Sequence, residues 1–485
     1  MKKILLFLGI TITLLGIALI LFQNVASANV PEVVKVENIK DGECVIDDTH
    51  FKMYRLDNGV VPLDENDWEY KNSFKFSDKN AELYKWGVEL DEFFDKDISY
   101  YKIPQFIQYN NKQFPVTKIG PNAFEGCKNL KNIIISEGVE VISYEAFKGC
   151  SALTEIKIPA SVEYIAASVF EGCPNISSIS FAEGTKINGM GSGSEGIYYP
   201  PFPDCPKVKS LVIPGSARNV NFDGLIGLEN VTILEGNPDF EGSFRDCSNL
   251  TSVKLPNGLK RIPNFEYCIN LKTIELPNSI TFINYRAFAD CENLESITLP
   301  PSVEEIKDGA FGWCSSLTTV YISNGVKTIG EGAFKKCVSL TSINIPNSVE
   351  TIGYNAFENC SSLQSIVLPN SIIEIDNYAF QDCTSLKNVQ LPNSLERIGA
   401  YLFAGCKNLT SITIPKGVKI IGNHAFENCK SLSAVSIPRT VERIDFDTFE
   451  GCDGLKTITI PAKFKNELKD IFYDVDLSKV KITYI

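Results

Sequence analysis

The sequence predicts a β-rich α/β solenoid: about fifteen stacked coils of ~23 residues with a capping piece at each end. Three observations predict it. Cysteine recurs at a fixed step, each cysteine is followed by the same apolar ladder, and the 485 residues have ordinary globular composition, 44% hydrophobic and 22% charged. A length that suggests about three domains by the usual ~150 residues each is then covered by one repeat array.

The array rests on the step. From Cys268 the cysteines fall at 291, 314, 337, 360, 383, 406, 429 and 452, a spacing of 23 throughout, and Cys127, Cys150 and Cys173 keep it. Cys173 to Cys205 is 32, or one period plus nine residues; Cys205 to Cys247 is 42 and contains two coils, with Leu225 in the cysteine place; Cys247 to Cys268 is 21. Numbered from the cysteine as zero, leucine stands at +3, Ile or Val at +6 and +8, often proline at +9, Val or Ile at +12, Ile at +15 and Ala-Phe at +19 and +20. Leu363, Ile366 and Leu368 give L-x-x-I-x-I, the leucine-rich repeat core. Residues +6 and +8 alternate inward on a short strand, which proline at +9 ends because it lacks a donor for the ladder. Residues +12 to +15 predict a second short extended piece. The Ala-Phe-x-x-Cys segment is the helical or tight-turn return. One coil cannot bury its own apolar side, so stacking at roughly 4.8 Å per coil makes one continuous core ~70 Å long.

The stretches "AFxxCxxLxxIxIPxSVxxIG" from Ala333 to Ile352, and again from Ala356 to Ile375, resemble the BspA-type leucine-rich repeat proteins, surface and secreted proteins of bacteria and some protozoa. The likeness spans about residues 101 to 462. It implies a solenoid and a role in adhesion or protein binding at a cell surface, and it carries over no catalytic residue. The sequence departs from the wider leucine-rich repeat pattern at +11. Where that pattern has asparagine, this chain has Ser161, Ser279, Ser302, Ser348, Ser371 and Ser394, with Gly138, Gly258, Gly325 and Gly417 in other coils.

The other pieces follow in chain order. Lys2 and Lys3 precede an apolar run from Ile4 to Phe22 and then Ala26-Ser27-Ala28, so residues 1–28 predict a secretory signal peptide or an uncleaved N-terminal anchor. Residues 29–100 hold 18 acidic against 9 basic side chains and predict a small acidic domain packed around Trp68, Trp86, Phe93 and Phe94. Its "DENDWE" and "DEFFDKD" lack the glycine and distal glutamate of a calcium loop. Tyr100 to Ile119 reads as a hairpin that caps the array, which runs over 101–462 with an insertion at 182–206. Residues 463–485 predict a cap with a short helix in "KFKNELKDIFYDV" and a last strand in "KVKITYI".

Composition excludes several functions. A net charge of −13 speaks against nucleic acid. The chain has two histidines, His50 and His424, too few for a multi-histidine metal site or a Ser/His or Cys/His catalytic set. No C-x₂-C pair supports a structural zinc site. Export would permit disulfides, but parallel side-chain directions in stacked coils suit the bond poorly, and Leu225 can fill a cysteine place but cannot bridge or ligate. The thiols are therefore read as small buried apolar fillers. The +20 phenylalanines, Phe288, Phe311, Phe334, Phe357, Phe380, Phe403, Phe426 and Phe449, are read as an inward spine. The +13 row, Glu304, Lys327, Glu350, Ile373, Glu396, Lys419 and Glu442, mostly alternates in charge and is read as register-setting.

What remains outward is the +7 row, Lys254, Glu275, Thr298, Tyr321, Asn344, Val367, Gln390, Thr413 and Ser436, a mixed polar surface suited to protein or glycan contact. The insertion adds "GMGSGSEG" and then Tyr198, Tyr199 and Phe202 among prolines, a loop on a rigid scaffold. The expectation is an exported, non-enzymatic binding or adhesion protein without cofactor, secreted or at the cell surface, its partner a protein or glycan and its membrane contact limited to an uncleaved leader. The alternative is an envelope spacer without specific ligand.

Overall fold

The computed structural model describes residues 33–36, 43–46, 49–56, 85–93, 96–109, 112–191 and 199–485. The leader, the "DENDWE" stretch, the side chains of Trp68 and Trp86, and Tyr198 lie outside them.

The array is a parallel β-solenoid with little helix. Each regular coil contributes two strands. The first covers +5 to +7, as in Ser296–Thr298, Thr319–Tyr321, Ser342–Asn344 and Ser365–Val367. These pair in register, coil on coil, in a nine-stranded sheet that runs on through Thr457–Ile460 to Lys481–Tyr484. The second covers only +14 and +15, as in Glu305–Ile306 and Thr328–Ile329, and builds a second ladder on another side. The residue at +6 points inward and its neighbours outward, as in the exposed–buried–exposed pattern of Ser365–Val367.

The return from the second ladder is a run of turns rather than a helix, and left-handed residues explain why. Each regular coil has one near +18 and one near +22, such as Asn355 (φ 56°) and Asn359 (φ 60°), or His424 (φ 55°) and Asn428 (φ 56°). Two such residues four apart break helical winding and turn the chain toward the next coil. Between them every +20 phenylalanine points inward. From Phe124 to Phe449 the rings are fully buried and stack one on the next, and Phe472 ends the column at 4.9 Å from Phe449.

The cysteine place now has a specific cause. In twelve coils the thiol donates to the carbonyl of the phenylalanine one coil earlier, as in Cys314 to Phe288 (3.1 Å), Cys337 to Phe311 (3.2 Å) and Cys360 to Phe334 (3.2 Å). That carbonyl also takes the backbone N–H three residues on, for example Cys291 to Phe288. A small side chain with one weak donor suits a buried oxygen with a lone pair to spare. The cysteines are thus more than fillers.

Serine does comparable work at +11. The hydroxyls of Ser161, Ser279, Ser302, Ser348 and Ser371 donate at 2.6–2.7 Å to the +12 carbonyl of the previous coil, and Ser394 does so as well. A hydroxyl ladder replaces the missing asparagine ladder. The +13 row is held mainly by its backbone, Lys327 N–H to Glu304 and Glu350 N–H to Lys327, both at 2.8 Å. Among the described residues only Lys419 and Glu396 of that row form an ion pair, at 3.8 Å. Its alternating charge therefore adds little to register.

At the N-terminal end Lys85–Phe93 pairs in parallel with Lys112–Ile119, which carries the second ladder onward to Val141–Ile142, and Phe106–Tyr109 pairs antiparallel with Lys112–Ile119. At the other end Leu468–Ile471 is a single helical turn, and Phe464, Ile471 and Phe472 are buried against the last coil. No helix among the described residues is long and apolar enough to cross a membrane.

Candidate functional site

The first strands position one row of side chains. Thr298, Tyr321, Asn344, Val367 and Gln390 are consecutive partners across the nine-stranded sheet, each on the outward beat of its strand. All are exposed, Tyr321 at 60% and Val367 at 70%. Thr413 and Ser436 pair farther along the same sheet. Lys254 and Glu275 are exposed too, but Lys254 ends a separate three-stranded sheet and Glu275 lies outside any strand. The structure brings five of the predicted residues into one unbroken row and leaves these two apart from it.

The insertion divides. Ile187 and Met190 are buried, and Gly189–Met190 pairs with Tyr164–Ile165 as an ordinary second strand. Tyr199 is half exposed, its carbonyl pressed against Gly191, where an added Cβ would lie 2.5 Å from that oxygen. Phe202 is corrected: it is fully buried and stacks between Phe170 (4.7 Å) and Phe222 (6.0 Å). It is the +20 phenylalanine of its coil, three residues before Cys205, and cannot meet a partner.

Two surface features were not singled out by sequence. A groove of about 620 Å³ runs over four coils between Pro301 and Ile373, lined by Glu304, Lys327 and Glu350 of the +13 row and by Ser302, Ser348 and Ser371. Exposed Ile373 supplies an apolar end. The second is an aromatic ridge at +17 and +18. Tyr378, Tyr401 and His424 stack in sequence at 4.7 and 4.6 Å, Tyr354 meets Tyr378 tilted at 5.1 Å, and exposed Phe446 meets His424 edge-on at 5.9 Å. The signal was present as an aromatic or imidazole at +17 or +18 in five successive coils, but it was masked by the stronger +20 phenylalanine.

The thiols have no access to chemistry. The fourteen cysteines of the array, Cys127 to Cys452, are free and buried. Burial pushes the Cys173 thiol up to about 12, and it pushes Cys314, Cys337 and Cys383 well above the ordinary range. A thiol that is neutral, enclosed and already donating to a carbonyl is a poor nucleophile and a poor ligand.

Comparison with known proteins agrees with this geometry. The family model described as BspA type leucine rich repeat region matches residues 97–222, 195–314, 240–364 and 350–478. A leucine-rich repeat protein from Bacteroides ovatus is 27% identical, with a TM-score of 0.54, over 85% of this chain and 97% of its own. A leucine rich cell surface protein from Faecalibacterium prausnitzii (20% identity, TM-score 0.42) is matched over 90% of this chain and 100% of its own. A leucine rich repeat protein from T. pallidum (32%, TM-score 0.31) is matched over 42% of this chain and 82% of its own. Among curated proteins there is no match.

Proposed function

The chain belongs to the BspA-type leucine-rich repeat family, and on that premise we propose that it is an exported, non-enzymatic protein-binding protein that works in adhesion or recognition at a cell surface. The observation that carries this reading is the unbroken outward row Thr298, Tyr321, Asn344, Val367 and Gln390, a flat polar sheet with one exposed tyrosine and one exposed valine. Recognition surfaces combine an aromatic or apolar anchor with a polar surround. The groove from Pro301 to Ile373 adds mixed charge and an apolar end, and Tyr199 adds an exposed ring beside the insertion. Thr413 extends the surface along the same sheet, and Lys254 and Glu275 are exposed contacts apart from it. The enclosed thiols support a role without catalysis.

Export rests on the leader, Lys2-Lys3, the run Ile4 to Phe22 and Ala26-Ser27-Ala28. N-terminal sequencing of exported material distinguishes a cleaved start at Asn29 from an anchored start at Met1.

Binding is tested by passing detergent extracts of surface-labelled host cells, and separately a glycan array, over the immobilised full chain. The proposal expects a saturable protein partner whose retention falls at least severalfold in a Tyr321→Asp, Val367→Asp double variant, with thermal unfolding unchanged. Normal export with no retained partner favours the envelope spacer instead.

A further inference from the structure

The turn side of the stack contains its own control experiment. Side chains near +18 to +22 of adjacent coils meet there, and at three places a lysine or arginine sits among their carboxylates. Lys148 lies 2.6 Å from Glu145 and 3.2 Å from Glu171. Arg286 lies 2.5 Å from Glu266 and 3.1 Å from Asp290, and Lys335 lies 2.7 Å from Glu358. Near the C-terminal end the corresponding place is taken by His424. Its Nδ1 is 3.1 Å from Glu427 Oε2 and 3.5 Å from Glu450 Oε2, and its Nε2 is 3.9 Å from Asp447 Oδ2. Among the described residues no lysine or arginine pairs with any of these three carboxylates.

The site is built rather than accidental. Tyr401 stacks on the imidazole and Phe446 closes its edge, which fixes the ring plane. Asn428 donates to Glu427 Oε1 at 2.9 Å and so turns Oε2 toward the ring. Nδ1 is buried and makes no hydrogen bond despite its carboxylate neighbours. One ligand atom from each of His424, Asp447 and Glu450 lies within 4.8 Å of the others.

We propose that His424, Asp447 and Glu450 hold one divalent cation of the zinc class, with Glu427 as a further oxygen donor. Charge argues for a divalent ion. Lys148 sets one positive charge against two carboxylates, and Arg286 with Arg245 sets two against Glu266, Asp290 and Asp246, whereas His424 faces three carboxylates with no lysine or arginine beside it. An ion of charge two restores the balance found in the other coils. Chemistry selects its class, since imidazole with carboxylates suits zinc and its first-row neighbours, while calcium wants six to eight oxygens and no nitrogen. Zinc bonds of roughly 2.0–2.2 Å bring tetrahedral ligand atoms to about 3.5 Å apart, close to the Nδ1 distances to Glu427 and Glu450. Asp447 stands beside the other ring nitrogen, 3.9 Å from Nε2, so its carboxylate has to swing toward the Nδ1 side to join the set. The ion pins the last regular coils together where Lys148 does so near the first.

The test uses the full chain, stripped with a chelator and titrated with Zn²⁺ by calorimetry in excess Ca²⁺. One equivalent should bind and raise the melting temperature. His424→Gln should abolish that equivalent, and Glu450→Gln should weaken it about tenfold or more. Glu171→Gln, at the matching Lys148 position, should bind like wild type. His424→Lys rebuilds the arrangement of the other coils and should stay folded, melt like the zinc-loaded protein and bind no zinc. It keeps the test decisive if His424→Gln misfolds. The proposal is overturned if wild type binds no zinc in excess Ca²⁺, or if the bound equivalent survives in His424→Lys.

Discussion

The run from Cys268 to Cys452 and the stretch from Cys173 to Cys247 are built from the same residues and end up with different architecture. In the first the step is 23 throughout, and from Ser296–Thr298 onward the first strands join one nine-stranded sheet. In the second the intervals are 32, 20 and 22, and the strands fall into sheets of two and three. Yet the phenylalanine column crosses the irregular stretch without a gap, through Phe170, Phe202, Phe222 and Phe244. A sheet ladder needs each coil to return in register to the residue. A stacked ring needs only a neighbour within a few ångströms. Pairing survives the 20- and 22-residue steps, where Ser210–Ile213, Asn230–Ile233 and Ser252–Lys254 stay in register, but the first-strand ladder ends at the 32-residue step that the ring column crosses.

The largest expected effect tests the feature common to both stretches. Burial raises the thiols of Cys291 through Cys429 above their unfolded values. A raised folded value stabilises fully below the unfolded value near 9 and is lost as pH climbs through the folded one. Each thiol then contributes a slope of about 1.4 kcal/mol per pH unit. Circular dichroism should show steep cooperative unfolding above about pH 9, with little change between pH 6 and 8. Alkylation mapped by mass spectrometry should reach Cys173 first. If the regular run is modified before Cys173, the two stretches do not differ in the way proposed.

Phe334→Ala should cost about 3–5 kcal/mol in denaturant unfolding. Phe222→Ala should fall at the low end of that range, because its ring neighbours stand at 6.0 and 5.8 Å instead of 5.4 and 5.4 Å. Equal costs would mean the column is indifferent to the period. Cys337→Ala should cost about 1–2 kcal/mol, for a lost bond to the Phe311 carbonyl and a small void. Cys205→Ala should cost less, since that sulfur sits 3.7 Å from its nearest carbonyls. Ser348→Ala removes one hydroxyl rung for about 1 kcal/mol. Val367→Lys on the outward row should leave stability within about 0.5 kcal/mol, so any loss of partner retention is a binding effect.

The fold was legible because a period repeats its own evidence. Fifteen copies of one apolar pattern placed the spine, the two strands and Leu225 without reference to any contact. What stayed hidden was pairwise. That Cys314 donates to the carbonyl of Phe288 depends on the rise between coils, which no residue type encodes. Phe202 was misplaced because prolines and tyrosines around it look like a loop, while its offset of three from Cys205 marked it as spine. The +13 row was set aside as a solvated register, yet its residues line the groove from Pro301 to Ile373. The His424 cluster draws on two coils, Glu427 from one and Asp447 and Glu450 from the next, so no contiguous motif announced it.

The phenylalanine column also decides where the array can come apart. Equivalent rings in the regular run lie 5.1–5.8 Å from one another, and the backbone at each ring is bonded to the next coil, as in Phe311 N–H to Ala333 and Phe334 N–H to Ala356, both at 2.8 Å. An interior coil opens only by parting from two neighbours at once, whereas an end coil has one to leave. Fraying therefore starts at the ends, and the coils that carry Tyr321 and Val367 lie far enough inside to keep their surface intact while it does.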